Sequence, residues 1–126
     1  MGPRESTYPA DWFRIAHKDF DRANRLLEDF DVEGTAFNLQ QAAEKCLKGF
    51  LLSKGWKLRR IHDLELLLNE AVAFDASLES YRLLSQNLTE YYMEERYPGT
   101  LASNVTDAEL REVAKKVGDL MKHLIG

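Results

Sequence analysis

The chain has 126 residues, of which 44% are apolar and 30% charged, and carries a formal net charge of −4. That length suits a single domain able to bury a core unaided, and the lone cysteine, Cys46, excludes an internal disulfide framework or a cysteine-built zinc site. No apolar run approaches the roughly 20 residues of a membrane span and the N-terminus shows no signal-peptide core, so a cytoplasmic location without membrane contact is expected.

Prolines stand only at positions 3, 9 and 98, which leaves the long middle free of helix breakers. The apolar spacing predicts an all-α, up-and-down bundle of about five helices in one domain over 1–126. A first helix is expected over about 10–30, where Trp12, Ala16, Phe20, Ala23, Leu27 and Phe30 recur at gaps of three and four. After a turn at 31–34, a second helix is expected over about 35–54, with Gly55 as its C-terminal cap. Ala36, Leu39, Ala43, Leu47, Phe50 and Leu51 form its apolar stripe. Gln40, Gln41, Glu44, Lys45 and Lys48 form a polar one, in which Glu44 and Lys48 are spaced as an i,i+4 pair.

A basic connector over 56–61 leads to His62-Asp63 and a short third helix, about 63–73, with Leu64, Leu67, Leu68 and Ala71 facing inward. Asp75 or Ser77 is expected to cap a fourth helix over about 77–96. Leu78, Tyr81, Leu84, Leu88 and Tyr92 (or Tyr91) would line its inner side, and Pro98-Gly99 forbids continuation. Thr106-Asp107-Ala108-Glu109 spells a capping box, with Val105 and Leu110 spaced as a hydrophobic staple. It opens a fifth helix over about 106–124, whose inner face is Leu110, Val113, Val117, Leu120 and Leu124.

The acidic total hides one basic segment. Residues 45–60 hold six basic and no acidic residues, whereas the rest of the chain holds 11 basic and 21 acidic ones. Such a protein is not a general polyanion binder, but it can hold a phosphate locally. If helix directions alternate, the basic connector, His62 and the Arg96-Tyr97 pair gather at one pole.

The run Gln40-Gln41-Ala42-Ala43-Glu44-Lys45-Cys46-Leu47-Lys48, followed by His62-Asp63-Leu64 and then Arg96-Tyr97-Pro98, resembles the HEPN family (higher eukaryotes and prokaryotes nucleotide-binding) over about residues 11–124. The resemblance implies a helical bundle, usually a homodimer, with a nucleotide or RNA phosphate as ligand. It also implies a minimal nucleotidyltransferase as partner, since prokaryotic stand-alone members are often encoded beside one as toxin–antitoxin pairs. A large subset of the family are metal-independent ribonucleases that use an Arg, four to six residues, then a His. Here Arg14 precedes His17 by three positions, Arg59 and Arg60 precede His62 by three and two, and Arg111 precedes His123 by twelve, so the motif is absent. His62 and Arg96, from different helices, stand as substitute catalytic candidates, because other arrangements can supply acid–base groups.

The phosphate site expected from this reading comprises Lys45, Lys48, Arg59, Arg60 and Arg96 for charge, with His62 and Tyr97 as orienting groups. Each residue also has a plainer role. His62 can open a helix, Arg96 can close one against its dipole, Tyr91, Tyr92 and Tyr97 can pack, and Lys45 and Lys48 can line a solvated face. His17 and Asp21 share a helix face but lack a third ligand, so neither a metal nor a cofactor is expected. The leading expectation is a nucleotide- or RNA-phosphate-binding domain working with a nucleotidyltransferase. The alternatives are a metal-independent ribonuclease toxin with an atypical site and a non-catalytic protein-interaction module.

Overall fold

The computed structural model describes the backbone of residues 5–96 and 105–125, and the side chains of 5–91 and 105–125. Five α-helices follow one another: α1 (Pro9–Glu28), α2 (Val32–Ser53), α3 (Leu64–Val72), α4 (Arg82–Arg96) and α5 (Asp107–Ile125). A 3₁₀ segment, Ala76–Tyr81, precedes α4. No strand occurs among the described residues, and no described helix is long and apolar enough to cross a membrane.

The helix ends explain the connections. Gly55 adopts a φ of 87°, and Trp56 N–H donates to the Leu51 carbonyl while Gly55 N–H donates to that of Leu52. This paired closure requires a left-handed residue, which glycine adopts without strain. The end of α1 repeats the closure with Phe30 at φ 59°. Asp31 N–H donates to the Leu26 carbonyl at 2.9 Å, and Phe30 N–H to that of Leu27. The Phe30 side chain is thrown outward and is 74% exposed, so it does not extend the inner face that its spacing predicted. The helix ends two residues before it, at Glu28.

The second helix also begins earlier than expected. The Asp31 carboxylate accepts from Gly34 N–H at 2.8 Å, so residues 32–34 form the first turn instead of a loop. Asp63 caps α3 by accepting from Glu65 N–H and Leu66 N–H. Asp75 caps the 3₁₀ segment through Ser77 N–H at 3.0 Å. That segment tightens what was expected to be the first turn of the fourth helix. Thr106 Oγ1 accepts from Glu109 N–H at 3.1 Å, and Val105 packs on the core next to this N-terminus.

α2 sits at the centre and packs against each of the other four helices. It is buried on nearly every side, including Ala36, Leu39, Ala43, Leu47 and Leu51. α1 runs antiparallel to it: Trp12 and Phe13 meet Lys48 and Gly49, while Asp19 meets Lys45. The Phe13 ring packs directly on Gly49, where an added Cβ would lie 2.7 Å from it. Leu78, Leu84, Leu88 and Tyr91 close the core from one side and Leu110, Val117, Leu120 and Leu124 from another. Tyr91 therefore takes the inner position, while Tyr92 lies outside the residues with described side chains.

A candidate phosphate-binding crevice

Because α2 is enclosed, its polar row at i,i+4 spacing is carried into the interior. Gln40, Glu44 and Lys48 are 0%, 3% and 1% exposed. Lys48 Nζ lies 3.5 Å from Glu44 Oε2 and 5.3 Å from the centroid of the Trp12 ring. Gln40 Nε2 donates to Glu44 Oε1 at 3.4 Å, and Gln41 Nε2 donates to Gln40 Oε1 at 2.6 Å. The anticipated surface pair is thus a buried one, and a buried charge is tolerated only where partners compensate it.

His62 completes the network from outside. Its Nδ1 lies 3.3 and 3.2 Å from the two oxygens of Glu44, although the two residues are 18 positions apart. The imidazole itself is 55% exposed. The cap at Asp63 fixes the connector and holds His62 over the Glu44 carboxylate.

These groups face a crevice of about 320 Å³ between the start of α1, the middle of α2 and the connector. The N-terminal segment forms its rim: Trp12 Nε1 donates to the Ser6 carbonyl at 2.7 Å, and Ser6 Oγ donates to Asp11 Oδ2 at 2.7 Å. Trp12 and Ile15 give the wall an apolar face, and its polar groups are Ser6, Gln41, the basic Lys45, Lys48 and His62, and the acidic Glu5, Asp11 and Glu44. The mouth offers a half-exposed histidine beside one partly exposed lysine, with a second lysine behind.

Of the seven expected site residues, the crevice brings together three: Lys45, Lys48 and His62. Lys45 Nζ is bound to the buried Asp19 carboxylate at 2.6 Å, which Arg22 also approaches at 3.8 Å. Arg59 does not line the crevice; it pairs with Glu70 and lies over the Trp56 ring at 5.5 Å. Arg60 is exposed on the connector, two residues before His62, and has no carboxylate partner among the described residues. The Arg96 side chain and Tyr97 lie outside the described residues. The six cations of the basic segment therefore do not form one free cluster, because the fold supplies acidic neighbours that the linear count placed elsewhere.

Glu44, Trp12 and Gln41 were not expected at the site. The signal for Glu44 was present in the sequence: a helix apolar on nearly every face must bury any polar row it carries. Cys46 is fully buried, and desolvation pushes its thiol up to about 12, so it supplies no nucleophile. No group of three His, Cys, Asp or Glu residues able to hold a metal occurs among the described residues.

A second histidine–carboxylate pair lies elsewhere, where α5 meets the 3₁₀ segment. His123 Nε2 is 2.9 Å from Asp75 Oδ2, and Ser77 Oγ donates to Asp75 Oδ1 at 2.6 Å. Ser77 Oγ also approaches the same His123 nitrogen at 3.2 Å. A nucleophilic relay needs serine and carboxylate on opposite ring nitrogens, so this trio is a clasp. The Ser77 hydroxyl, and after it His123, hold the Asp75 carboxyl below its ordinary value.

A family model described as the HEPN domain matches residues 9–124. No curated protein and no solved structure matches the chain.

Proposed function

The chain belongs to the HEPN domain family, and from that membership we propose that it binds a nucleotide or RNA phosphate at the crevice between α1, α2 and the basic connector. Nucleotide- or RNA-related function is what the family supports in general. The finer reading is a homodimeric, cytoplasmic partner of a minimal nucleotidyltransferase, one half of a toxin–antitoxin pair, and family resemblance supports it.

The observation that carries the site is the convergence of Lys45, Lys48 and His62 on one crevice, with Arg60 exposed on the segment that leads into it. Phosphate oxygens take charge-assisted hydrogen bonds from such groups. Arg59 stands on the same connector but outside the crevice, paired with Glu70, and Arg96 and Tyr97 enter the proposal through the family motif. Lys48 contributes field more than contact, because it is enclosed and already faces Glu44. Lys45 and His62 are the groups at the opening.

The test is binding of adenosine monophosphate and of a short single-stranded RNA to the whole protein at several salt concentrations. Replacing Arg59 and Arg60 together by Ala should weaken binding and flatten its salt dependence by about two units of slope at most. Unchanged affinity and slope would remove the connector from the site. RNA length is read in the same samples. Intact RNA is expected, and metal-independent cleavage that disappears in His62→Ala would replace the binding reading by the ribonuclease one.

A further inference from the structure

We propose that residues 5–8, the segment leading into α1, form a strap that holds the crevice shut and competes with an anionic ligand for its mouth. This rests on the phosphate-binding reading of the same crevice and adds a regulation to it.

Acids and bases share the crevice lining: Glu5, Asp11 and Glu44 stand with Lys45, Lys48 and His62. Lys45 is bound to Asp19 and Lys48 faces Glu44, so both cations already have acidic neighbours. A phosphate that approaches past the Glu5 carboxylate meets like charge first. Asp11 and Glu44 are fixed on α1 and α2, whereas Glu5 lies on irregular backbone ahead of the helix. Of the three acids, Glu5 is the one that can be withdrawn.

Ser6 ties the segment down. Its carbonyl accepts from Trp12 Nε1–H at 2.7 Å, and its Oγ donates to Asp11 Oδ2 at 2.7 Å. Tyr8 N–H donates in turn to Ser6 Oγ at 3.0 Å. The indole donor on the crevice wall is thus spent on a main-chain carbonyl, which stands in for an oxygen of the ligand. Packing adds little, since Glu5, Thr7 and Tyr8 are all exposed, Tyr8 by 71%. Pro9 starts the helix with a fixed φ, and Tyr8 makes no side-chain cap, so the joint between strap and helix lies at Tyr8. A segment held by a few hydrogen bonds, without buried apolar surface, opens far more readily than the fold around it. Opening carries Glu5 away from the mouth and leaves Trp12 Nε1–H to donate to a phosphate oxygen.

Two measurements on the full chain test this. The first needs no ligand: hydrogen exchange of the Trp12 indole N–H, one of two indole signals in the protein, assigned through Trp56→Phe. Ser6→Gly deletes the Oγ bonds and loosens the backbone. The indole proton should then exchange about tenfold faster, the worth of one hydrogen bond, while the main-chain amides of α2 keep their protection. An unchanged rate would mean that the strap does not cover Trp12, and overturns the proposal.

The second is binding of adenosine monophosphate to the wild type, Ser6→Gly and Glu5→Gln. Glu5→Gln changes an exposed side chain and leaves the bonds of Ser6 in place, so it reads the charge alone. Both variants should bind about three- to tenfold more tightly than the wild type. The gain from Glu5→Gln should shrink as salt is raised, and that from Ser6→Gly should persist. Equal or weaker binding by both variants overturns the strap and leaves the phosphate reading standing. Binding by none of the three proteins overturns the phosphate reading and the strap together.

Discussion

His62 and His123 each lie on a carboxylate at about hydrogen-bond distance, yet the two pairs have little else in common. Glu44 is enclosed in the centre of α2 with Lys48 beside it, so its charge is compensated inside the protein and His62 is the one member that reaches solvent. Asp75 and His123 are each about one-third exposed, and water competes for both partners. The first pair can impose a geometry on an exposed ring. The second joins α5 to the segment between α3 and α4. Burial of the acid, not the identity of the residues, separates an orienting pair from a surface clasp.

The strongest test of that difference removes the buried acid. Glu44→Leu leaves Lys48 enclosed without its partner and should cost about 3–5 kcal/mol in urea unfolding. Combining it with Lys48→Met should recover most of the loss, because an apolar pair of similar volume often replaces a buried ion pair at little cost. A loss that the second substitution leaves unrecovered would mean that Glu44 contributes by packing and not by charge.

His62→Ala should separate stability from binding. The ring is half-exposed, so unfolding should change by less than about 1 kcal/mol, while affinity for a ribonucleotide phosphate falls about tenfold. A stability loss as large as that of Glu44→Leu would make His62 a core residue and place it in the same class as its carboxylate.

Asp75 gives the smallest effect, and it is read through pH. Its carboxyl is held below its ordinary value of 3.8, by the Ser77 hydroxyl first and His123 next. A group depressed in the folded state adds stability above its unfolded value and loses it as pH falls through the folded one. The difference between wild type and Asp75→Asn should therefore be present at pH 5 and shrink steadily below about 3.8. A difference that grows on acidification would reverse the assignment.

The helices were legible because their signals are local. Spacing of three and four placed Leu110, Val113, Val117, Leu120 and Leu124 on one face, and all five are buried. Asp75 and Thr106 were legible as caps through residue type and spacing, whereas Asp63, read as the first residue of the third helix, caps it from outside. Phe30 was not, since nothing in the periodicity marks where a helix turns left-handed on a residue other than glycine. The candidate site was half legible. Lys45, Arg59 and His62 were visible as charge, but the acids that meet them, Asp19, Glu70 and Glu44, are brought in by folding, and across 11 to 26 positions of sequence. Net charge counted along a segment says little about the field at a point when neighbouring helices contribute the compensating groups.

The most direct measurement is an amide and side-chain NMR titration of the protein with adenosine monophosphate and with a short single-stranded RNA. Shifts should concentrate at Lys45, Lys48, Arg60, His62 and Gln41 around the crevice, and saturate with added ligand. Shifts gathered instead at the apolar hollow of about 290 Å³ between α1 and α5, lined by Phe20, Met121 and Ile125, or no saturable shift at all, would rule out the crevice as the phosphate site.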